Sequence, residues 1–195
     1  MNSMKRRIDQ EKISKNALSV ISKLNKEGFE AFLVGGCIRD LLADTAPKDF
    51  DIATNAHPQD IKEIFRNSRI VGKRFQIVHV RFEREIIEVS TFRRLDPRVI
   101  ENQSDAGMIL RDNSFGSLEE DSLRRDFGIN AIYYNPISKQ LVDLQGGVED
   151  ISRKVIRSIG PISLRLREDP VRMLRAIRIS EKLEFELEND IKENI

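Results

Sequence analysis

The chain has 195 residues, of which 39% are hydrophobic, so it is long enough for one sizeable folded domain or for one domain with a small appendage. Its 33 basic and 32 acidic residues leave a net charge of only +1. This balance excludes a basic field spread over the whole molecule, so any surface for nucleic acid has to be local.

The cysteine content and the N-terminal residues indicate in which cellular compartment the protein is expected. The single cysteine, Cys37, excludes an intrachain disulfide, and we expect no disulfide-linked partner. Residues 1–7 carry three basic side chains, but no apolar run follows them, and no stretch of the chain has the length of a membrane span. We therefore expect a cytoplasmic protein without a membrane partner.

The first predicted element is an amphipathic helix over residues 14–26, which begins at a capping serine and ends before Gly28. Its apolar face consists of Ala17, Leu18, Ile21 and Leu24. A strand is predicted over residues 29–34, and a short helix over residues 37–42 follows the turn Gly35-Gly36. A strand, a glycine turn and a helix N-terminus together form a phosphate site, with Arg39 nearby.

A pair of carboxylates follows this segment. Asp49 and Asp51 flank the apolar Phe50 in a short run of strand character, so both carboxylates should leave one face of the strand. Neighbouring carboxylates repel each other unless a cation lies between them, and ligands that are all oxygen favour Mg²⁺. The pattern therefore predicts magnesium and a polyphosphate in one pocket.

The middle of the chain predicts a helix that ends near residue 65 and then a hairpin of two strands, over residues 76–82 and 85–92. Glu88 in the second strand has two interpretations, which the sequence leaves open. It is either a third carboxylate beside the aspartates, as in two-metal phosphoryl transfer, or a glutamate that faces solvent. Residues 93–113 lack periodicity and predict a mobile loop over the site.

The last third of the chain predicts both helices and strands. Ser117 and Glu120 form a capping box that starts a helix running on to Phe127. Strands are predicted at residues 130–134 and 141–144, and a helical segment at residues 148–153. The final helix has Pro170 in its first turn and Asp169 as its cap, with an apolar stripe formed by Val171, Leu174, Ile177, Ile179 and Leu183.

The pattern G-G-x-x-R-D followed by D-x-D resembles the head domain of the nucleotidyltransferase superfamily that contains bacterial poly(A) polymerases and class II CCA-adding tRNA nucleotidyltransferases. The resemblance implies that Asp49 and Asp51 are catalytic and hold magnesium. It implies that the triphosphate of the incoming nucleotide is bound by Gly35, Gly36, Arg39 and Asp40.

Two further motifs match the same family in the same order. Residues 124–131 contain R-R-D-F-x-x-N-A. The resemblance implies that Arg125, Asp126 and Asn130 lie near the bound nucleotide. Residues 167–178 contain the second motif, R-E-D-P-V-R-M-L-R. Here the resemblance implies that Asp169 and Arg172 present hydrogen bonds to the base, with Arg175 beside them.

The resemblance implies an α+β fold: a polymerase-beta-like nucleotidyltransferase head, with a mixed or antiparallel sheet flanked by helices, followed by a helical neck. We expect the head over residues 1–147 and the start of the neck over residues 148–195. Family members continue through body and tail domains, so the chain is expected to be a head with part of a neck.

The implied activity is magnesium-dependent addition of AMP from ATP to RNA 3′ ends. Residues 72–80 and 110–116 are similar to segments that mark the poly(A) polymerases, which favours that branch over CCA addition. CCA addition remains the alternative. A third possibility is a fragment that binds nucleotide but does not extend RNA, since residues 5–7 and 12–15 supply only a modest basic arm.

Overall fold

In the computed structural model, which describes residues 8–72, 75–94 and 114–195, a seven-stranded mixed sheet forms the centre of the fold. In chain order its strands are β1 (Ala31–Val34), β2 (Asp51–Thr54), β3 (Ser68–Val71), β4 (Ile77–Arg81), β5 (Ile86–Thr91), β6 (Ile132–Asn135) and β7 (Gln140–Asp143). Across the sheet their order is β3-β4-β5-β2-β1-β6-β7. Strands β2 and β5 are parallel, and the other neighbouring pairs are antiparallel.

Helices flank this sheet and follow it. In chain order they are α1 (Lys15–Lys26), α2 (Gly36–Leu42), α3 (Pro58–Ile64), α4 (Leu118–Arg124), α5 (Gly147–Arg153), α6 (Ile162–Glu168), α7 (Val171–Leu183) and α8 (Asn189–Glu193). A small parallel sheet joins β8 (Val155–Ile156) to β9 (Glu186–Leu187). The α+β class, the mixed sheet and the flanking helices are confirmed. None of the helices in the described residues is long and apolar enough to span a membrane.

Local sequence signals account for several of these elements. The Ser14 hydroxyl accepts hydrogen bonds from the backbone N–H groups of Asn16 and Ala17 at 3.2 and 3.4 Å, so α1 begins where its cap predicts. The capping box of Ser117 and Glu120 likewise starts α4. The β4–β5 hairpin forms as the period of two predicts, and the strand pair predicted over residues 130–134 and 141–144 forms as β6 and β7.

The two faces of the sheet have different surroundings. On one face, alternate strand residues such as Leu33, Ile52 and Val89 are fully buried and belong to the main core, against which α1 and α3 also pack. The opposite face carries a smaller apolar cluster made of Phe32, Val34, Ala53, Phe92 and Tyr133. This cluster covers only part of the face, and the uncovered part carries the polar strand residues described below.

Two elements differ from their prediction. Helix α4 ends at Arg124 rather than at Phe127, because the Asp126 carboxylate accepts the N–H of Phe127 at 2.8 Å and Phe127 forms a bridge with Ser158. Strand β3 was not predicted. Its residues alternate only weakly between buried and exposed positions, so local periodicity gave no signal for an edge strand.

The prediction for the final helix was wrong in two respects. The single apolar stripe divides into two faces: Ala176, Ile179 and Leu183 are buried, whereas three other residues are 39–66% exposed, namely Val171, Leu174 and Ile177. Asp169 ends α6, and its side chain does not cap α7. A stripe drawn from sequence alone cannot show which of two apolar faces meets the core.

Some expectations remain untested. The loop over residues 95–113, part of each segment similar to the poly(A) polymerases (73–74 and 110–113) and the basic residues 5–7 lie outside the described residues. Residues of the last third, including Ile151, Ile162 and Ile179, pack into the same apolar core as the sheet. The division into a head and a neck at residue 147 stays a prediction.

Candidate functional site

A cleft of about 640 Å³ is lined by α2, the start of β2, the end of α4 and the inner side of α7. Of the predicted site residues, only Glu88 does not line this cleft. The residues that do line it are Gly35, Gly36, Arg39, Asp40, Asp49, Asp51, Arg125, Asp126, Asn130, Asp169, Arg172 and Arg175. These residues come from three motifs that are far apart in sequence. Their convergence supports the site, and the role of each residue stays a prediction.

The two aspartates lie at the N-terminal end of β2. Asp51 is the first residue of the strand and Asp49 precedes it, and both line the cleft while Phe50 is buried. Glu88 on β5 is the register partner of Asp51. Burial, followed by the negative charge of Glu88, raises the pKa of Asp51 to about 6, although Arg125 favours its ionised form.

These carboxylates fit a magnesium ion that is held jointly with a nucleotide. Within residues 8–72, 75–94 and 114–195, no three acidic, histidine or cysteine side chains are grouped so as to hold a metal ion. Magnesium in phosphoryl-transfer sites is commonly bound by one or two carboxylates together with substrate phosphates. The oxygen-only pair Asp49 and Asp51, with the raised pKa of Asp51, suits that arrangement.

Both interpretations of Glu88 remain open. Its carboxylate lies next to Asp51, as a third catalytic carboxylate requires, but outside the 640 Å³ cleft. It also lies 3.3 Å from Nε2 of His79, and its side chain is 48% exposed. Glu88 therefore stays a predicted catalytic residue.

The glycine turn depends on its first residue. Gly35 has φ +76° and ψ −134°, a conformation that residues with a Cβ rarely adopt. A Cβ at this position would lie 3.8 Å from Arg125 and 3.9 Å from the Asp51 carboxylate. Gly36 is the first residue of α2 and lacks a positive φ. Its absent side chain therefore affects only how closely a ligand can approach the helix N-terminus.

Arg39 and Asp40 form a buried pair that connects α2 to α7. Nε and Nη2 of Arg39 donate to Oδ1 of Asp40 at 2.9 and 2.7 Å, and Nη1 donates to Asn130 at 2.8 Å. The other Asp40 oxygen accepts a hydrogen bond from Lys182 at 2.7 Å. A triphosphate role for Arg39 thus has to coexist with this structural role. Lys182 was not predicted as a site residue. Its position seven residues after Arg175 on the same helix was the sequence signal that could have identified it.

Asp121 was missed by sequence reasoning. It is almost fully buried and accepts hydrogen bonds from Arg124 (2.7 Å), Arg125 (3.0 Å) and the Tyr133 hydroxyl (2.7 Å). Burial opposes its ionisation, but Arg125 and Arg124 outweigh burial and hold the pKa of Asp121 well below its usual range. Asp121 therefore fixes the position of Arg125 in the cleft. Its spacing of four from Arg125 was the available signal.

The cleft has an excess of positive charge. Nine basic and five acidic side chains line it, and five of the basic residues were not predicted: Lys48, Arg93, Arg124, Arg178 and Lys182. A concave site with this imbalance attracts polyanions. The cleft thus suits a bound polyanion such as a triphosphate.

Arg172 is held in place but retains an unused donor. Its Nη2 donates to the carbonyl of Arg124 at 3.2 Å and lies 3.6 Å from Glu168. Its Nη1 is buried and finds no hydrogen-bond partner within the described part of the chain. Burial lowers the pKa of Arg172, and Glu168 opposes this effect. A buried donor without a partner is costly, so Arg172 is suited to donate to a ligand in the cleft.

Comparison with known proteins relates this chain to one family. The family model described as the poly A polymerase head domain matches residues 31–157. The chain is 52% identical over 188 residues to Poly(A) polymerase I of Haemophilus influenzae, covering 93% of this chain and 41% of that protein. It is 38% identical over 179 residues to the CCA-adding enzyme of Lactobacillus helveticus, covering 92% of this chain and 43% of that protein.

A solved structure supports the fold. The chain superposes on the Bacillus stearothermophilus CCA-adding enzyme in complex with CTP with a TM-score of 0.76 and 37% identity. That match covers 91% of this chain and 41% of the enzyme. The chain thus spans about two fifths of the length of the relatives it matches.

The raised pKa of Asp51 predicts a pH-dependent effect of Asp51→Asn on the metal-free chain. The folded-state pKa of about 6 lies above the ordinary 3.8, so ionised Asp51 destabilises the fold above pH 6, and this cost disappears below about pH 4. Urea unfolding at pH 7.5 should show Asp51→Asn to be more stable than wild type by about 1–3 kcal/mol. The difference should vanish at pH 4.

The control is Asp44→Asn, whose side chain is 95% exposed. It should leave stability unchanged at both pH values. An equal stabilisation by Asp51→Asn at pH 7.5 and pH 4 would contradict the raised pKa of Asp51, which burial and then the charge of Glu88 produce.

The two glycines should respond differently to alanine. Gly35→Ala forces a Cβ onto a positive φ and should destabilise the fold by about 1–3 kcal/mol. Gly36→Ala lies at a helical position with ordinary contacts and should leave stability unchanged or raised. Calorimetry should nevertheless show weaker ATP binding for Gly36→Ala, because the new methyl group blocks approach to the helix N-terminus. Unchanged ATP affinity in a folded Gly36→Ala would contradict the phosphate site.

Proposed function

Because the chain belongs to the poly A polymerase head domain family, we propose that it carries the catalytic centre of a template-independent RNA nucleotidyltransferase that adds AMP from ATP to RNA 3′ ends. The observation that carries the proposal is the convergence of the aspartate pair, the glycine turn and the α7 residues Arg172 and Arg175 in one cleft. The chemistry is phosphoryl transfer from ATP, with RNA as the acceptor. The expected compartment is the cytoplasm.

Different groups of cleft residues bind different parts of the nucleotide. The Gly35-Gly36 turn and the N-terminus of α2 offer backbone N–H groups to the triphosphate, and Arg125 lies next to them. The basic residues toward α7 neutralise the remaining phosphate charge. In the reaction, the RNA 3′ oxygen forms a bond to the α-phosphorus and the bond from that phosphorus to the bridging oxygen breaks. Pyrophosphate leaves, and the hydroxyl proton passes to the carboxylates at Asp49, Asp51 and Glu88.

Asp49 and Asp51 are the residues that would hold magnesium, with Glu88 as a further candidate. When bound, Mg²⁺ supplies positive charge that stabilises the attacking and the leaving oxygen. The chain's own contribution is to hold these carboxylates in a largely desolvated position, where burial and then the charge of Glu88 raise the pKa of Asp51.

Base selection is assigned to Asp169 and Arg172. Asp169 ends α6 and Arg172 lies in the first turn of α7, and both line the cleft. Arg172 has a buried donor without a partner in the described residues. A carboxylate that accepts and a guanidinium that donates complement the amino group and ring nitrogen of adenine. The greater identity to Poly(A) polymerase I of Haemophilus influenzae than to the CCA-adding enzyme of Lactobacillus helveticus favours AMP as the added nucleotide.

The direct test is incubation of the chain, and of a full-length relative, with labelled RNA, Mg²⁺ and each nucleotide separately. We expect ladders of added residues with ATP, whereas one or two additions with CTP would indicate CCA addition. Asp51→Asn should abolish addition in whichever protein is active, since several kcal/mol of transition-state stabilisation depend on the metal. Near-normal activity of Asp51→Asn would contradict the metal assignment. ATP binding without any addition by this chain would indicate a nucleotide-binding fragment.

A second prediction concerns base discrimination. Arg172→Ala should reduce the preference for ATP over CTP and GTP by roughly ten- to a hundredfold, equivalent to about 1–3 kcal/mol. Calorimetry of the three nucleotides against wild type and variant measures this preference. Arg178→Ala is the control, because Arg178 lines the same cleft on α7 outside the predicted base-reading pair and should affect the three nucleotides alike. Equal loss of all three affinities in Arg172→Ala would make Arg172 a phosphate-binding or structural residue.

A further inference from the structure

A second cleft of about 940 Å³ lies on the other side of the catalytic aspartates. It is lined by the β4–β5 hairpin, from His79 to Glu88, and shares Lys48, Asp49 and Asp51 with the first cleft. These three residues therefore form the wall between the two clefts. Nothing in the motifs or in the comparisons assigns a ligand to the hairpin side.

The proposed reaction requires a site in this position. In phosphoryl transfer, the attacking and leaving oxygens lie roughly in line on opposite sides of the phosphorus. If the triphosphate occupies the first cleft and the α-phosphate lies at the aspartates, pyrophosphate leaves toward α2 and α7. The attacking hydroxyl then approaches from the hairpin side, where the second cleft lies.

In this cleft, the apolar side chain of Ile86 lies between the carboxylates and the guanidinium group of Arg81. Ile86, which is 44% exposed, is the register partner of Arg81 and lies two residues before Glu88 on β5. Strands are about 4.8 Å apart, so Arg81 on β4 lies about 10 Å from β2, where the aspartates are. That separation is comparable to the span of a single terminal nucleotide.

The basic side chains of the cleft can bind phosphate only locally, because five carboxylates also line it, namely Asp49, Asp51, Glu83, Glu85 and Glu88. Glu85 is directed toward the start of α1, since it accepts hydrogen bonds from Ser14 at 2.7 Å and from Asn16 at 2.6 Å. In the described part of the chain, no ion-pair partner is found for the three basic side chains of the cleft, namely Lys48, Arg81 and Arg84.

From these contacts we infer that the β4–β5 hairpin binds the 3′-terminal nucleotide of the RNA acceptor, with Arg81 and Arg84 contacting its phosphates and Ile86 supporting the sugar or base. The bound strand presents its 3′ hydroxyl to Asp49 and Asp51. The inference rests on the proposed function, because it takes the first cleft to be the ATP site. Arg81 and Arg84 are positioning residues for the acceptor and make no contact with ATP.

The test is the double substitution Arg81→Gln/Arg84→Gln in the full 195-residue chain. Fluorescence anisotropy with a labelled oligoadenylate, with Ca²⁺ in place of Mg²⁺ to prevent addition, should show RNA affinity lower by about tenfold. For a single strand, each lost phosphate contact reduces the slope of log affinity against log salt by about 0.7, so two contacts predict a loss of about 1.4. ATP affinity measured by calorimetry should be unchanged.

The matched control is Arg69→Gln. Arg69 lies on the neighbouring strand β3, is exposed and pairs in register with His79, but it lines neither cleft. It loses one positive charge, as each of the two hairpin substitutions does, and should leave both the affinity and the salt slope at their wild-type values. An RNA with a photoreactive 3′-terminal nucleotide should crosslink to residues 79–88.

The outcomes separate this inference from the proposed function. If wild type binds ATP but the double variant keeps its RNA affinity and salt slope, the hairpin site is overturned and the proposed function stands. The same holds if the 3′-terminal crosslinks fall only on α7. If wild type binds ATP but not RNA, the hairpin site is also overturned, and the chain is a nucleotide-binding fragment. If wild type binds no ATP, the proposed function itself fails.

Discussion

The candidate site depends on an electrostatically unfavourable arrangement. Asp51 is partly desolvated at the start of β2, with Glu88 as its neighbour across the parallel pair and Asp49 two residues away, and its pKa is raised as a result. A sheet with a fully buried face opposite holds these groups in place, because any shift of β2 would disturb the packing of Ile52. The repulsion is relieved when a cation binds, so the same cost that lowers the stability of the metal-free chain favours binding of the metal.

The remaining charges in the cleft connect elements that are distant in sequence. Asp40 joins Arg39 on α2 to Lys182 on α7, and Asp126 lies 3.3 Å from Arg175. Breaking one partner of a buried pair is costly even where the intact pair adds little net stability. These contacts therefore specify how α7 lies against α2 and the end of α4. The position of α7 in turn places Arg172 in the cleft.

Two clefts that share one acidic wall offer a physical division of the substrates. The cleft toward α7 is closed in by arginines and has the donor set for a triphosphate and a base. The hairpin cleft carries its arginines, Arg81 and Arg84, on and beside β4. Under the proposed function, each substrate would reach the aspartates from its own side, as in-line displacement requires. The exposed apolar residues Val171, Leu174 and Ile177 face away from this arrangement, on the side of α7 opposite its buried residues.

Sequence by itself determined the local elements and the chemistry of the motifs. The caps at Ser14 and Ser117, the β4–β5 hairpin and the shared direction of Asp49 and Asp51 follow from interactions within a few residues, and the ordered motifs identified the family before any coordinates. Tertiary structure alone decided the contact of Asp121 with Tyr133, the contact of Asp40 with Lys182 and the position of Glu88 beside Asp51. It also decided the positive φ at Gly35 rather than Gly36 and which apolar face of α7 meets the core. These features depend on contacts between residues as far as 142 positions apart, as for Asp40 and Lys182, and local periodicity carries no information about such contacts.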